Sequence, residues 1–517
     1  MNPSWNMPAD SVNASCNKTR AIVKPGLISS IPLAPLAALL FSPLAALHAA
    51  EVKSFTPASQ STICLQAQTC PVPRFQSGDR WCVLGDSITH AGFYHRYVEL
   101  FYLTRFPSLQ FDVINCGISG DTAAGAQKRL AWDCLNVKPK VVTVMFGMND
   151  VKRDLYAPKA TETDIEQQRT SAAAIYDKTM RRLTQTLRDA GTKVVCLLPT
   201  PYDDTSDLPT PNLPGCNAAL AGLGQRVQAI SQEFQLPIVD FNSPLISINA
   251  EKQKIDPHFT IIGPDRIHPK EPGHLIMAAE FLKAQQLTGV VSRIVIDAAA
   301  RRSGGLENCV ISDLTFQPEG VSFTCSEHSL PFPVTPEAKP ALELIPFVQD
   351  FDQEMLHVTG LAPGDYQLKI DDQAVRNFTS AELAAGVNLA LQTNTPQYQQ
   401  SLAVQAALSK KWAAVDKIRT LAYVEFSAWP DAPRPVDVAL LQPKLEAQLA
   451  AAHGKSYEPY IRNKQKAYFD LKPHEADFPA EAEAAVRVAR RAAITKPHQF
   501  TLNRVAPEPA LESITQK

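Results

Sequence analysis

The sequence predicts an α/β protein: a doubly wound parallel sheet covered by helices, then an appended β-rich module and a C-terminal helical region. Three observations carry this prediction. Between residues 80 and 290, short apolar runs alternate with longer helical patterns. The runs are continuous rather than alternating, as parallel strands covered on both faces require. After residue 290 the rhythm changes, first to short strand-like segments and then to an alanine-rich helical stretch. At ~150 residues per domain, a chain of 517 residues has room for about three.

The first fifty residues stand apart. Lys18, Arg20 and Lys24 precede an uncharged apolar run from Gly26 to Leu47, which ends in Leu47-His48-Ala49-Ala50. A basic segment, an apolar segment and small residues before Glu51 read as a signal peptide over 1–50, with export to the periplasm or the cell exterior. Pro32, Pro35 and Pro43 interrupt the run and argue against a spanning anchor. Residues 51–79 read as an N-terminal extension.

Within 80–290, Trp81–Leu84, Phe111–Ile114, Val141–Phe146, Val194–Leu198 and Ile238–Phe241 read as buried strands. Helical stretches lie near His95–Thr104, Ala123–Leu130, Asp164–Ala190, Asn217–Phe234 and Gly273–Gln286. Strict β-α-β-α order predicts the doubly wound layer. In 291–390, Val310–Phe316, Val321–Cys325, Leu356–Thr359 and Tyr366–Ile370 are strand-like, with a turn at 361–365 between the last two. In 391–517, helices interrupted by prolines run from about Gln397 to Ala493. There Glu481, Glu483, Arg487, Arg490 and Arg491 read as a solvated helix face. The tail after Pro497 is expected to be loose.

Composition narrows the function classes. With 50 basic against 52 acidic residues and no basic block, nothing is built to grip a phosphate backbone, so no nucleic-acid partner is expected. Scattered charges and a mean hydropathy of −0.13 exclude a multi-span membrane protein, and no span is expected in the mature form. Of ten cysteines, Cys16 falls in the leader. Cys64/Cys70 and Cys309/Cys325 are candidate disulfide pairs, although spacing does not fix connectivity. Cys82, Cys116 and Cys196 sit in apolar runs and read as packing residues. There is no CxxC and no zinc-type His/Cys spacing, so neither metal nor cofactor is expected. Composition and pattern fix no oligomeric state.

The chemistry concentrates at strand ends. Gly85-Asp86-Ser87-Ile88-Thr89 follows the first strand and opens a helix, the place where parallel sheets expose reactive groups. Alone, Ser87 is equally an N-cap serine. After the second strand comes Asn115-Cys116-Gly117-Ile118-Ser119-Gly120-Asp121-Thr122, and after the third Gly147-Met148-Asn149-Asp150. The Ser87 N–H, the Gly120 N–H and the Asn149 side-chain amide are three donors on one rim for a developing oxyanion. Taken singly, the latter two are a glycine turn and an Asx-turn. Downstream, Asp265-Arg266-Ile267-His268-Pro269 puts an acid three residues before a histidine, able to orient one ring nitrogen and leave the other to deprotonate a serine.

These four blocks, Gly85-Asp86-Ser87, Gly120, Gly147-Met148-Asn149-Asp150 and Asp265-Arg266-Ile267-His268, together resemble those of the SGNH (GDSL-like) hydrolases, in order. The resemblance spans about 80–290. It implies a three-layer α/β/α flavodoxin-like domain and ester hydrolysis. Carried over, Ser87 matches the nucleophile, His268 the base, Asp265 its orienting acid, and Ser87, Gly120 and Asn149 the oxyanion hole. Ile88 stands where the family name has Leu, and Arg266 where Gly is frequent; neither is a catalytic position.

The wider strings look more like exported bacterial carbohydrate esterases than the family's lipases. The expected partner is therefore an acetylated carbohydrate or another small ester, and the expected enzyme an O-acetylesterase. A lipolytic or lysophospholipase-type esterase is the alternative, and a glycan-binding protein with a vestigial site a third reading. His90 is a candidate pocket residue or simply a helix histidine. Tyr202, Asp203 and Asp204 either contact substrate or cap a loop. Trp412, Trp429, Tyr457 and Tyr460 are candidate carbohydrate contacts, although aromatics at helical spacing more often serve the core.

Overall fold

The structure, a computed structural model, describes residues 70–157 and 164–505. The signal peptide, most of the N-terminal extension and the Cys64 end of one candidate disulfide lie outside those residues.

Five parallel strands form the first sheet: β1 (Arg80–Gly85), β2 (Asp112–Gly117), β3 (Val141–Met145), β4 (Lys193–Leu197) and β5 (Ile238–Val239), in the order β2-β1-β3-β4-β5. Side chains leave a strand on alternate faces, and both faces are covered. Trp81 and Val83 join a core with helices α2 (Phe93–Arg105) and α7 (Glu271–Ala284). Cys82 and Leu84 point the other way, against α3 (Ala123–Asp133), α4 (Ile165–Asp189) and α5 (Cys216–Phe234). The remaining helices of this layer are α1 (Ser87–Ala91), directly after β1, and α6 (Ser243–Gln253). On α4, Tyr176, Met180, Leu183 and Leu187 recur every three or four residues and are buried, which is what makes this long polar sequence a helix of the layer. Trp81 is fully buried, and its indole N–H donates to Thr143 Oγ1 at 3.0 Å. Val72 and Phe75, ahead of β1, also belong to this core.

Two further sheets follow, built from β6 (Val290–Asp297), β7 (Arg302–Glu307), β8 (Cys309–Gln317), β9 (Gly320–Glu327), β10 (Gln353–Thr359), β11 (Asp365–Ile370), β12 (Gln373–Thr379), β13 (Val387–Asn388) and β14 (Pro497–Arg504). One sheet runs β13-β10-β6-β7, the other β12-β11-β14-β9-β8. Ile294, Ile296, Leu356 and Val358 from the first meet Val321, Phe323, Leu368, Phe500 and Leu502 from the second. Alternate burial along β9 and β10 marks each as a strand with one covered face. Short helices α8 (Phe347–Phe351) and α9 (Ser380–Ala385) connect these strands.

Between β13 and β14 the chain forms four helices, α10 (Pro396–Ala428), α11 (Val438–Ala452), α12 (Glu458–Leu471) and α13 (Phe478–Ala493). They dock on the hydrolase-like layer through Lys411, which pairs with Glu99, and through Arg490, which donates to Phe111 O at 3.0 Å.

The expectation of a loose tail is overturned for residues 497–504; residues 506–517 lie outside the described residues. Residues 497–504 are β14, an interior strand paired antiparallel with β9 on one side and β11 on the other. Only His498, Phe500 and Leu502 turn inward, a three-residue alternation too sparse to stand out in the sequence. Pro497 takes the first position, where the missing N–H is tolerated. Two further differences are smaller. The fifth strand is cut to Ile238–Val239, and α6, whose apolar pattern is weak, was not expected. Cys309 and Cys325 are free buried thiols on neighbouring strands β8 and β9.

Candidate active site

The site lies at the carboxyl ends of the parallel strands. After Gly85 the chain turns into α1, whose N-cap is Asp86; its Oδ1 accepts the Ile88 N–H at 3.0 Å. Burial pushes the Asp86 carboxyl up to about 6, against that hydrogen bond. Ser87 is the first residue of α1, where a backbone N–H has no carbonyl four residues back within the helix to take it. Gly117 ends β2 against this turn, and a Cβ there would fall 2.2 Å from His90 N, so only glycine allows α1 to sit so close.

The second loop makes a turn closed by Asp121 N–H to Ile118 O at 3.2 Å. Gly120 occupies its third position at φ +75°, a conformation that glycine adopts without strain, and is exposed. Asn149, after β3, donates through Nδ2 to Asp121 O at 2.8 Å and accepts from Arg153 at Oδ1 at 3.1 Å. The Arg153 contact fixes which end of the amide is the donor, and the Asp121 contact leaves one N–H of that donor unused. Asp150 accepts the Ala123 N–H, and burial pushes its carboxyl up to about 7.

Asp265 and His268 come from the loop before α7. Asp265 Oδ1 accepts the N–H groups of Ile267 at 3.1 Å and His268 at 3.0 Å, while Oδ2 lies 2.5 Å from His268 Nδ1. Burial opposes the charge on Asp265, yet the hydrogen bonds from His268 hold the carboxyl down to about 2. The other ring nitrogen, Nε2, is 2.7 Å from Ser87 Oγ. Ser87, His268 and Asp265 are thus one continuous hydrogen-bonded line, 181 residues apart in sequence at the serine–histidine step.

Arg266 lies at φ +65°, the left-handed region where glycine is at ease. Its buried guanidinium spans the carbonyls of Asp203, Ser206, Leu208 and Thr210. Those four bonds offset the backbone cost and tie the loop after β4 to the histidine loop. The other candidates separate accordingly. Asp203 caps its loop, accepting from Thr205, Ser206 and Asn249, and the Tyr202 hydroxyl accepts the Leu213 N–H. Asp204 O accepts from Asn212 within the same loop. Trp412 donates to Glu99 Oε2 at 2.8 Å and packs on the core, and Trp429 lies under Lys444. His90, in contrast, stands at the rim: its Nδ1 is 3.1 Å from both the N–H and the hydroxyl of Ser119.

A buried ion network supports this rim. Arg129 on α3 pairs with Asp121 at 2.7 Å and with Asp133, and it donates to Cys116 O and Gly85 O. Arg419 on α10 reaches Asp133 at 2.5 and 3.0 Å and donates to Gly117 O. Burial alone would raise the Asp133 carboxyl, but Arg419 and Arg129 hold it below its usual range. Arg129 and Asp133, four apart on a helix, look like an ordinary surface pair in sequence. Their apolar neighbours Ala126 and Leu130 were the available hint. Nearby, Cys82, Cys116 and Cys134 bring three buried thiols within 4.8 Å of one another.

A parallel α/β layer with a Ser-His-Asp line at its carboxyl rim defines a serine hydrolase of the ester-cleaving class. Residues 83–276 match the GDSL-like lipase/acylhydrolase family, which makes this layer an SGNH-type hydrolase domain and the protein a carboxylic ester hydrolase. The chain is 26% identical over 232 residues to an acetylxylan esterase of Geobacillus stearothermophilus, covering 42% of this chain and 98% of that one. Among solved structures, a gut microbial diltiazem-metabolizing enzyme is 28% identical with a TM-score of 0.76, covering 84% of this chain and 99% of that one. That likeness extends well past the hydrolase layer into the sheets and helices behind it. Among the described residues, no helix is long and apolar enough to cross a membrane.

Proposed function

We propose that this esterase removes O-acetyl groups from a carbohydrate through an acyl-enzyme, with Ser87 as nucleophile, His268 as base and Asp265 as the acid that orients it. The observation that carries the reading is the unbroken line Ser87 Oγ–His268 Nε2 at 2.7 Å and His268 Nδ1–Asp265 Oδ2 at 2.5 Å. Ser87 Oγ attacks the ester carbonyl as His268 takes its proton, and the oxyanion rests on the N–H groups of Ser87 and Gly120 and the amide of Asn149. Collapse expels the alcohol, which takes that proton from His268. Water, deprotonated by the same histidine, then releases the acid and restores Ser87. The name of the acetylxylan esterase relative supports an acetyl group on a sugar as the substrate, and the leader-like residues 1–50 support export.

Two measurements test this. Ser87→Ala should lower turnover of p-nitrophenyl acetate by about 10⁴-fold or more, given the ~10⁶ scale of triad removal; unchanged turnover would refute the mechanism. Acetate release from acetylated polysaccharide, with the p-nitrophenyl octanoate rate as comparison, tests the substrate. Rates that climb with acyl length would instead favour the lipolytic esterase.

A further inference from the structure

Helices α10 and α12 bring an aromatic surface to the rim beside the nucleophile. Tyr423 of α10 is buried, with its ring 6.1 Å from the His90 ring and 5.9 Å from the ring of Tyr460 on α12, the tyrosine planes at 67°. The Tyr460 hydroxyl faces Ser119 and Tyr423. Ser119 directly precedes Gly120, and His90 follows Ser87 by three positions on α1, so it shares the nucleophile's side of that helix. Two steps thus join Tyr460 to the nucleophile turn, and one joins it to the Gly120 turn.

Tyr423 has the burial of a core residue, but Tyr460 does not. Its exposure is 39%, and that of Tyr457, one turn earlier, is 49%. The Lys464 ammonium lies over the Tyr460 ring, 5.7 Å from its centroid, adding a hydrogen-bond donor beside it. A partly exposed ring, braced edge-on by a buried second ring and flanked by a polar group, is suited to a ligand with one apolar face and polar edges. A pyranose has that character: axial C–H bonds on a face, hydroxyls around the rim.

We propose that Tyr460, backed by Tyr423 and flanked by Lys464, is the platform on which the sugar ring of the leaving alcohol stacks. The C-terminal helical region then supplies the alcohol-side subsite of an active site whose reacting groups all lie in the parallel layer. This rests on the carbohydrate esterase reading above.

The test compares acetylated xylo-oligosaccharides with ethyl acetate, whose alcohol is too small to stack. In Tyr460→Ala, kcat/KM for the oligosaccharides should fall at least fivefold further than for ethyl acetate, mainly through KM. Tyr460→Phe, which keeps the ring and loses the hydroxyl contact to Ser119, should recover most of that loss. Equal losses on both substrates, or no loss on either, overturn the platform. A Tyr460→Phe variant as impaired as Tyr460→Ala overturns it too, because the hydroxyl would then act only by holding the oxyanion turn. If the unaltered enzyme cleaves ethyl acetate but frees no acetate from the oligosaccharides, the carbohydrate reading itself falls and takes the platform with it. Cleavage by the unaltered enzyme with an indifferent Tyr460→Ala removes the platform alone.

Discussion

Two buried acid clusters, one at α3 in the parallel layer and one in the sandwich behind it, handle charge in opposite ways. Around Ser87, the acids Asp121 and Asp133 are matched by Arg129 and Arg419, and other guanidinium N–H groups reach backbone carbonyls of the strand ends. In the sandwich, Glu327 of β9 and Glu354 of β10 are buried together. Ser292 and Gln397 satisfy Glu327, but among the described residues neither oxygen of Glu354 finds a hydrogen-bond donor. A retained proton is what allows the two carboxyls to face each other. Burial, and then the charge of Glu327, pushes the Glu354 carboxyl well above its usual range. Asp352 is likewise pushed by burial up to about 7, despite Arg105. Paired charge fixes a geometry and loses its contribution in acid, whereas unpaired acid loses its contribution as pH rises.

The sharpest way to break this contrast is to unpair the paired cluster. Asp133→Ala leaves the buried Arg419 guanidinium without a carboxylate and Arg129 with Asp121 alone, which should cost about 3–5 kcal/mol. Urea unfolding at pH 7 measures it, and ester turnover should fall as well, because Asp133 holds Arg419 and Arg129 against the loops that carry Gly117 and Gly85. A loss under about 1 kcal/mol, the scale of an exposed pair, would mean that the network does not behave as a buried one.

Glu354→Gln tests the other half. An acid that stays protonated when folded but ionises when unfolded makes the native state bind more protons, so stability falls as pH rises above the ordinary value of 4.5. The native protein should therefore melt lower at pH 8 than at pH 5.5, and Glu354→Gln should shrink that difference. The depressed Asp133 carboxyl has the opposite sign: its contribution is present above the ordinary 3.8 and is lost as acid protonates it. A melting profile from pH 3 to pH 9 separates the two arms, and an unaltered alkaline arm in Glu354→Gln would show that these acids do not set it.

The smallest effect calibrates the others. Arg487 and Glu483, exposed one turn apart on α13, form an ion pair. Removing it with Arg487→Ala should change stability by less than about 0.5 kcal/mol, and salt should erase the change.

How much of this was legible in the sequence follows from how far apart the partners lie. The Ser87 turn is one contiguous string, and Asp265 and His268 are three residues apart, so spacing alone suggested their chemistry. The strands of the parallel layer were readable because burial on both faces makes each a solid apolar run. Arg419 meets Asp133 across 286 residues, and nothing local announces it. The same is true of β14, whose neighbours in the sheet belong to β9 and β11. Arg266 looked like a departure from a glycine position; only the carbonyls around its guanidinium explain why an arginine sits at positive φ there.

The interior position of β14 has a consequence for motion and for synthesis. The four helices that carry Tyr460 leave the sandwich at β13 and re-enter it at β14, so the insert is tethered at both ends. Its return strand is held by a neighbour on either side, and α10 and α13 also dock on the parallel layer through Lys411 and Arg490. The wall beside Ser87 is therefore braced by the sandwich as well as by the parallel layer. Because β14 spans residues 497–504, more than 200 positions after His268, the brace is synthesised well after the Ser87–His268–Asp265 line.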